Sequence, residues 1–222
     1  MRSENAVFDA IIFDMDGVIV DTRAIVEKVW FEWAVENKIS WEDVKNNIHG
    51  KRTVEIIRQF TPELNEESTV KIIEDRQAED IDNICVGKGA RKCLNTIKGC
   101  KWAIVTSNTR TAALNKLENV QFNVPEVLIT GDDVKNGKPS PDGYLMAASR
   151  LGVKPEKCIV VEDSPAGVKA GKDADMYVAA VKTTHREDFL QNADVIVTSL
   201  YDLRISCLAC SDGKKIRLNS PL

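Results

Sequence analysis

Short apolar runs recur along the chain at Ala10 to Phe13, Trp102 to Val105, Val127 to Ile129, Cys158 to Val161, Tyr177 to Val181 and Val195 to Val197. Helical stretches separate them, and strands alternating with helices predict an α/β fold, a doubly wound parallel sheet. Between the first and second runs lies a long insertion, residues 19 to 85, with no convincing strand. Its periodicity is helical. Ile25, Val29, Trp30 and Trp33 follow one helical spacing, and Ile56, Ile57 and Phe60 follow another behind a Thr53 cap. Thr61-Pro62 stops that second helix, and a third, acidic at its start, is expected from Asn65 to Ile81. Trp30, Trp33 and Trp41 read as core rather than as ligand platforms.

The insertion returns through Val86-Gly87-Lys88-Gly89, which is either a hinge or a plain loop before the next helix. After the last parallel strand, Arg204 to Cys210, then Ser211-Asp212-Gly213, then Lys214 to Leu218 predict a β-hairpin. With 222 residues and 43% apolar composition, the chain can bury one full core plus an appendage.

Net charge is −4 with both signs mixed throughout, and no basic face stands out, which argues against nucleic acid. An anionic ligand must then be drawn by local cations or a metal, because the global field is slightly repulsive. No run approaches the length of a membrane span, and Met1 to Asn5 lacks the apolar stretch of a signal peptide. The expectation is a cytoplasmic monomer with no membrane partner. Cys158 lies in an apolar run and reads as a small core residue. Cys207-Leu208-Ala209-Cys210 is a lone C-x-x-C with no second pair and no nearby histidine, so zinc would lack ligands. Two thiols on a terminal strand is the simpler reading.

Four strand ends carry polar groups. The first run feeds Asp14-Met15-Asp16-Gly17-Val18, two carboxylates delivered into a glycine turn where an open parallel sheet binds ligands. Asp-Gly also marks ordinary turns. The second run ends in Thr106-Ser107-Asn108, hydroxyls for an anion or simply a helix cap. Gly137-Lys138-Pro139 follows the third run in a loop with Asp132 and Asp133. The fourth runs into Glu162-Asp163-Ser164-Pro165, with Pro165 well suited to a first helical position. Asp14, Asp16, Glu162 and Asp163 leave strands that should be neighbours across the sheet's switch point. Each close carboxylate pair costs about 4 kcal/mol at ~4 Å and an effective dielectric of ~20. Such a group converges ionised only around a cation, and hard oxygen ligands suit Mg²⁺. With Lys138, Thr106, Ser107 and the turn amides nearby, the pocket fits a phosphoryl group and its metal.

In this order, Asp14-x-Asp16-Gly17-Val18, Thr106-Ser107-Asn108, Gly137-Lys138-Pro139 and Glu162-Asp163-Ser164-Pro165-Ala166-Gly167 resemble all four motifs of the haloacid dehalogenase superfamily, over residues 7 to 203. The resemblance implies a Rossmann-like core of residues 1–18 and 86–222, with the hairpin at 204–222, and a helical cap of residues 19–85. It implies Asp14 as nucleophile, Asp16 as acid/base and Lys138 as the bridge between phosphate and nucleophile. Thr106, Ser107, Asn108 and Lys138 would bind phosphate, with Thr106 preferred over Ser107 for the hydroxyl role. Asp14, Asp16, Glu162 and Asp163 would form the Mg²⁺ site.

His49-Gly50-Lys51-Arg52-Thr53, together with the extended second, third and fourth motifs, is similar to the glycerol-3-phosphatase and 2-deoxyglucose-6-phosphatase branch. The hairpin is similar too, more weakly. Val18 departs from that branch and is more usual in β-phosphoglucomutase-like members. The activity implied is Mg²⁺-dependent hydrolysis of a small phosphorylated polyol or sugar, with a sugar phosphomutase as the alternative. A true dehalogenase would need neither the second aspartate nor a metal. His49 and Arg52 have two readings: turn cap and solvated cation, or groups of a cap loop that dips to the substrate.

Overall fold

The computed structural model describes residues 6–79, 84–211 and 213–219. The N-terminal pentapeptide, the expected end of the third helix at Ile81 and Asp212 of the expected hairpin turn lie outside those residues.

Alternate residues of β2 (Ala10–Phe13) serve opposite sides of the sheet. Ala10 and Ile12 join one apolar cluster, Ile11 and Phe13 the other, and all four are buried. A strand covered on both faces needs no polar positions, which is why it reads as a continuous apolar run. β6 (Val127–Ile129) and β7 (Cys158–Glu162) are likewise buried throughout, while β5 (Lys101–Val105), β8 (Tyr177–Val181) and β9 (Val195–Val197) are buried towards their C-terminal ends. These six strands form one parallel sheet in the order β6-β5-β2-β7-β8-β9. The chain leaves β2 in one direction for β5 and β6, then returns to β7 on the other side. The switch point therefore lies between β2 and β7, with Phe13 opposite Val161.

Helices cover both faces. α7 (Asp142–Leu151) and α8 (Pro165–Asp173) close one, with Tyr144, Ala147, Ala148, Val168 and Ala170 buried against it. α8 begins as its sequence predicts: Pro165 occupies the first turn and the Ser164 hydroxyl accepts from Gly167 N at 3.1 Å. α5 (Ala90–Thr96) and α6 (Arg110–Asn119) close the other. There they are joined by the predicted hairpin, β10 (Ile205–Cys210) and β11 (Gly213–Leu218), which adds to β1 (Val7–Phe8) as a separate antiparallel sheet. The C-x-x-C thiols do not pair with each other. Cys207 instead packs its Sγ 3.0 Å from that of Cys100, and all six cysteines are free.

The insertion is helical, as its periodicity predicts, and adds one short helix that the pattern did not show. α1 (Arg23–Glu36) buries Ile25, Val29, Trp30 and Trp33. α2 (Trp41–Lys45), α3 (Thr53–Phe60) and α4 (Glu66–Glu79) follow. Thr53 is the first residue of α3 rather than its cap; Arg52 takes the cap position, and its N–H reaches Glu55 Oε2 at 3.4 Å. Two short strands, β3 (Val20–Asp21) and β4 (Cys85–Val86), pair antiparallel at the root of the insertion. Two residues each are too few to leave a periodic signal. Gly87 packs hard against them, its N–H donating to Ile19 O at 2.7 Å, and a Cβ there would collide with Val18 O. No described helix is long and apolar enough to cross a membrane.

Candidate active site

β2 carries its ladder up to the first candidate carboxylate: Asp14 N donates to Val161 O at 2.8 Å. The chain then turns at Gly17, where φ is 78° and a Cβ would collide with the Asp163 carboxylate. Only glycine permits both the left-handed backbone and that approach. The turn thus brings the ends of β2 and β7 together.

Lys138 arrives from the loop between β6 and α7. Its ammonium is buried and donates to Asp14 Oδ1 and, at 2.5 Å, to Glu162 Oε1. Glu162 Oε1 also accepts from the Tyr144 hydroxyl at 2.8 Å. Its Oε2 accepts from Asp163 N at 2.8 Å, and from Ser164 N and Ser164 Oγ at 3.0 Å. Burial pushes the Glu162 carboxyl up, but Lys138 and these donors outweigh it and hold the group below its ordinary value. Asp14 shares Lys138 yet behaves oppositely. Burial, with Glu162 and Asp16 adding to it against Lys138, pushes Asp14 up to about 8. Burial, then Glu162 and Asp14, push Asp163 well above its ordinary value. The contrast comes from the number of donors: Glu162 collects Lys138, Tyr144, the Ser164 hydroxyl and two backbone N–H groups, whereas the Asp163 carboxylate has the Thr184 hydroxyl at 2.8 Å.

One carboxylate oxygen from each of Asp14, Glu162 and Asp163 lies within 4.8 Å of the others. At that spacing two carboxylates repel by about 3.5 kcal/mol at an effective dielectric of ~20. A hard divalent cation fits this cluster, since it would relieve the two raised groups together. Glu162 already spends both oxygens on protein donors. Asp14 and Asp163 are therefore the members most available to an ion.

The Asp16 side chain stands outside the cluster. Its Oδ1 accepts from Thr22 Oγ1 at 2.7 Å and from Lys116 Nζ at 2.9 Å, and its Oδ2 accepts from the Asn108 amide. Burial raises this carboxyl, but Lys116, Thr22 and Asn108 prevail and lower it. Thr106 is buried at the end of β5, and its Oγ1 accepts from Asn108 N at 3.2 Å and Asn108 Nδ2 at 2.7 Å. Its hydroxyl proton is thereby directed elsewhere. Ser107 instead donates its hydroxyl to Gly50 O in the insertion, at 3.1 Å. Asn108 accepts from Lys116 at 3.0 Å, so its side chain serves Asp16 and Lys116. Asp132 and Asp133 are tied to Arg110, at 2.7 Å each.

Asp14, Asp16, Thr106, Ser107, Asn108 and Asp163 all line one cavity of ≈ 60 Å³. Its opposite wall comes from the insertion: Val26, Trp30, Ile48 and Ile56. Trp30 is thus both core and cavity wall. Of the two candidates in the insertion, His49 lines the cavity and Arg52 does not. Arg52 pairs with Glu55 at 2.6 Å and reaches Lys135 O at 3.5 Å, over the Lys138 loop. Lys51, not selected from the sequence, does line the cavity.

Lys116, Thr22 and Tyr144 were also missed from the sequence. Two of them carried a signal. Ala113, Lys116 and Leu117 occupy the buried stripe of α6, and Gly143, Tyr144, Ala147 and Ala148 that of α7. A lysine or tyrosine in an apolar stripe requires a buried polar partner. Asp16 and Glu162 are those partners.

The haloacid dehalogenase-like hydrolase family model matches residues 8–175. Hexitol phosphatase A of Escherichia coli K12 is 34% identical, with 88% of this chain and 93% of that protein covered. 2-Deoxyglucose-6-phosphate phosphatase 1 of Saccharomyces cerevisiae is 32% identical, with 96% of each covered. A crystal structure of β-phosphoglucomutase from Clostridium difficile superposes with a TM-score of 0.79 at 24% identity, covering 89% of this chain and 93% of that one, and shares the fold. With its motifs gathered at the switch point of the sheet, the chain belongs to the haloacid dehalogenase-like hydrolases.

Proposed function

We propose that the chain is a phosphoric monoester hydrolase acting on small phosphorylated polyols or sugars, with Asp14 as nucleophile. The observation that carries this reading is the placement of Asp14: buried at a strand end, bridged by Lys138, beside Asp163, and open to the same cavity as Asp16. The hexitol and deoxyglucose phosphatases to which the chain is similar support the substrate class.

Asp14 attacks phosphorus in line and forms an aspartyl-phosphate while the ester oxygen departs. Asp16 is held ionised at rest by Lys116, Thr22 and Asn108. It takes the acid role once those contacts give way to the ester oxygen, and the proton it then carries goes to the leaving alkoxide. It then takes a proton from the water that cleaves the acyl-phosphate, which releases phosphate and restores Asp14. Lys138 balances charge on Asp14 and the phosphoryl oxygens. Glu162 positions Lys138, and the Thr106 hydroxyl is the donor left for phosphate, Ser107 being engaged with Gly50. Asp14 and Asp163 would hold Mg²⁺, which would supply Lewis-acid charge stabilisation at the phosphoryl group. Residues 19–85 form the cap that shelters the reaction from bulk water.

A phosphomutase would use the same groups, but would hand the phosphoryl to a second sugar rather than to water. A screen of phosphorylated metabolites that measures free phosphate and transferred phosphate together tests both. Stoichiometric free phosphate is expected; isomerised sugar phosphate without free phosphate would replace this reading with the mutase.

A further inference from the structure

The catalytic cavity is small for the substrates just proposed. At ≈ 60 Å³ it is well below the roughly 300–1,000 Å³ usual for a small-molecule pocket. The alcohol must extend elsewhere. Three borders are closed by contacts already made. The 48–52 loop is pinned down by the Ser107 hydroxyl on Gly50 O at 3.1 Å, and Gly50 packs directly against Ser164. Arg52 and Glu55 lie against Gly137, with Arg52 also reaching Gly131. On the third side, the rings of His49 and His185 meet edge to face at 5.9 Å.

A fourth border is open. Between α1, α4 and α6 lies a cleft of ≈ 130 Å³ that shares Thr22, Val26, Gln77 and Lys116 with the catalytic cavity. Lys116 stands at this junction with its ammonium on Asp16, the group that protonates the leaving oxygen. Beyond it, Ile25, Ile84 and Ala112 give the cleft an apolar lining, while Glu74, Thr111 and Asn115 add hydrogen-bonding groups. A polyol chain carries C–H surface and hydroxyls along one length, and this mixed wall complements it.

A larger cleft of ≈ 300 Å³ lies beyond Thr53 and Ser107, the two residues it shares with the catalytic cavity. The Ser107 hydroxyl on Gly50 O lies at that border, and Glu66, Glu67 and Asp132 line this cleft in addition to Glu74, which both clefts share.

Resting on the phosphatase reading above, we propose that the alcohol portion of the substrate leaves the catalytic cavity past Lys116 into the α1–α4–α6 cleft, and that this cleft selects extended, hydroxyl-bearing phosphate esters over short ones. The test fills each cleft in turn and compares sorbitol 6-phosphate with methyl phosphate, which ends at its first carbon. Ala112→Trp should lower kcat/KM for sorbitol 6-phosphate by roughly tenfold or more, the scale at which a pocket rejects an ill-fitting group, and leave methyl phosphate within about twofold. Asn115→Trp, at the exposed rim of the same cleft, should do the same more weakly and serves if the first variant misfolds. Val54→Trp, in the larger cleft, should leave both esters unchanged. The proposal is overturned if Val54→Trp produces the selective loss, if the α6 variants lower both esters by one factor, or if folded α6 variants change neither. Wild-type protein that releases phosphate from no ester would remove the phosphatase reading itself, a separate outcome read before any variant is made.

Discussion

The floor of the catalytic cavity is set by Asp14 and Asp163, which line it, and by Lys138 and Glu162 behind them, all four buried and charged. On its ceiling, Val26, Trp30, Ile48 and Ile56 present apolar surface, relieved by His49, Lys51 and Gln77. The floor hangs from the ends of strands whose register is set by a sheet covered on both faces. The ceiling rides on helices joined to that sheet through the two-residue ribbon of β3 and β4. Chemistry is thus placed at the ends of a sheet covered on both faces, and selection where packing can differ without disturbing it. Substitutions on the floor should change the rate for every ester, while those on the ceiling should change which ester is preferred.

The largest break should come from Asp14→Asn, an isosteric change that removes the attacking oxygen's charge. Turnover should fall below about 1% of wild type while thermal unfolding stays cooperative. Chelation should have nearly as large an effect, with Mg²⁺ restoring turnover and Ca²⁺ restoring it poorly because of its looser coordination. Asp163→Ala should raise the Mg²⁺ concentration needed for half-maximal rate. Full activity in chelator would remove the metal from the floor.

Lys138→Met should lower turnover by about 10²–10³-fold. Because Lys138 is only 6% exposed and neutralises two buried carboxylates, it should also cost roughly 3–5 kcal/mol of stability. Denaturant titration beside initial rates checks both. A variant of unchanged rate and stability would remove Lys138 from both the chemistry and the charge balance of the site.

His49 sharpens the comparison through pH. Burial, then the neighbouring His185, lower it from 6.5 to about 4. The folded state therefore favours the neutral ring. Its contribution is present above pH 6.5 and is lost as pH falls towards 4, by on the order of 3 kcal/mol. His49→Gln should flatten the fall of Tm across that window. His185, lowered by burial, keeps a residual slope. The smallest effect is expected at Arg52. Turned from the cavity onto Glu55 and the Lys138 loop, it should on truncation to Ala lower kcat/KM for all esters by one common, several-fold factor. A shift in preference among esters would place Arg52 on the substrate instead.

The same division governs what the sequence reveals. All six sheet strands and the residues at their ends are legible because each motif is local: a buried run, then a polar turn whose residue types follow from its position. Asp14 and Asp163 are far apart in sequence, yet the order of the runs is enough to make their strands neighbours. The ceiling yields its helices but not its contacts. Whether His49 or Arg52 faces the cavity depends on how α3 seats on the loop before Lys138, and no periodicity encodes that. Lys116 lies between: its place in the α6 stripe betrays a buried partner, and only the folded sheet shows that the partner is Asp16.

Covalent chemistry at Asp14 is most directly tested by trapping the intermediate. Asp16→Asn, which removes the base for the second step, should be mixed with a good aryl phosphate in Mg²⁺, quenched in acid within the first turnover, digested and read by mass spectrometry. One phosphoryl group should appear on the peptide carrying Asp14 and be absent when Asp14 is also changed to Asn. Phosphate released in the first turnover without such an adduct, or an adduct on any other residue, would contradict nucleophilic attack by Asp14.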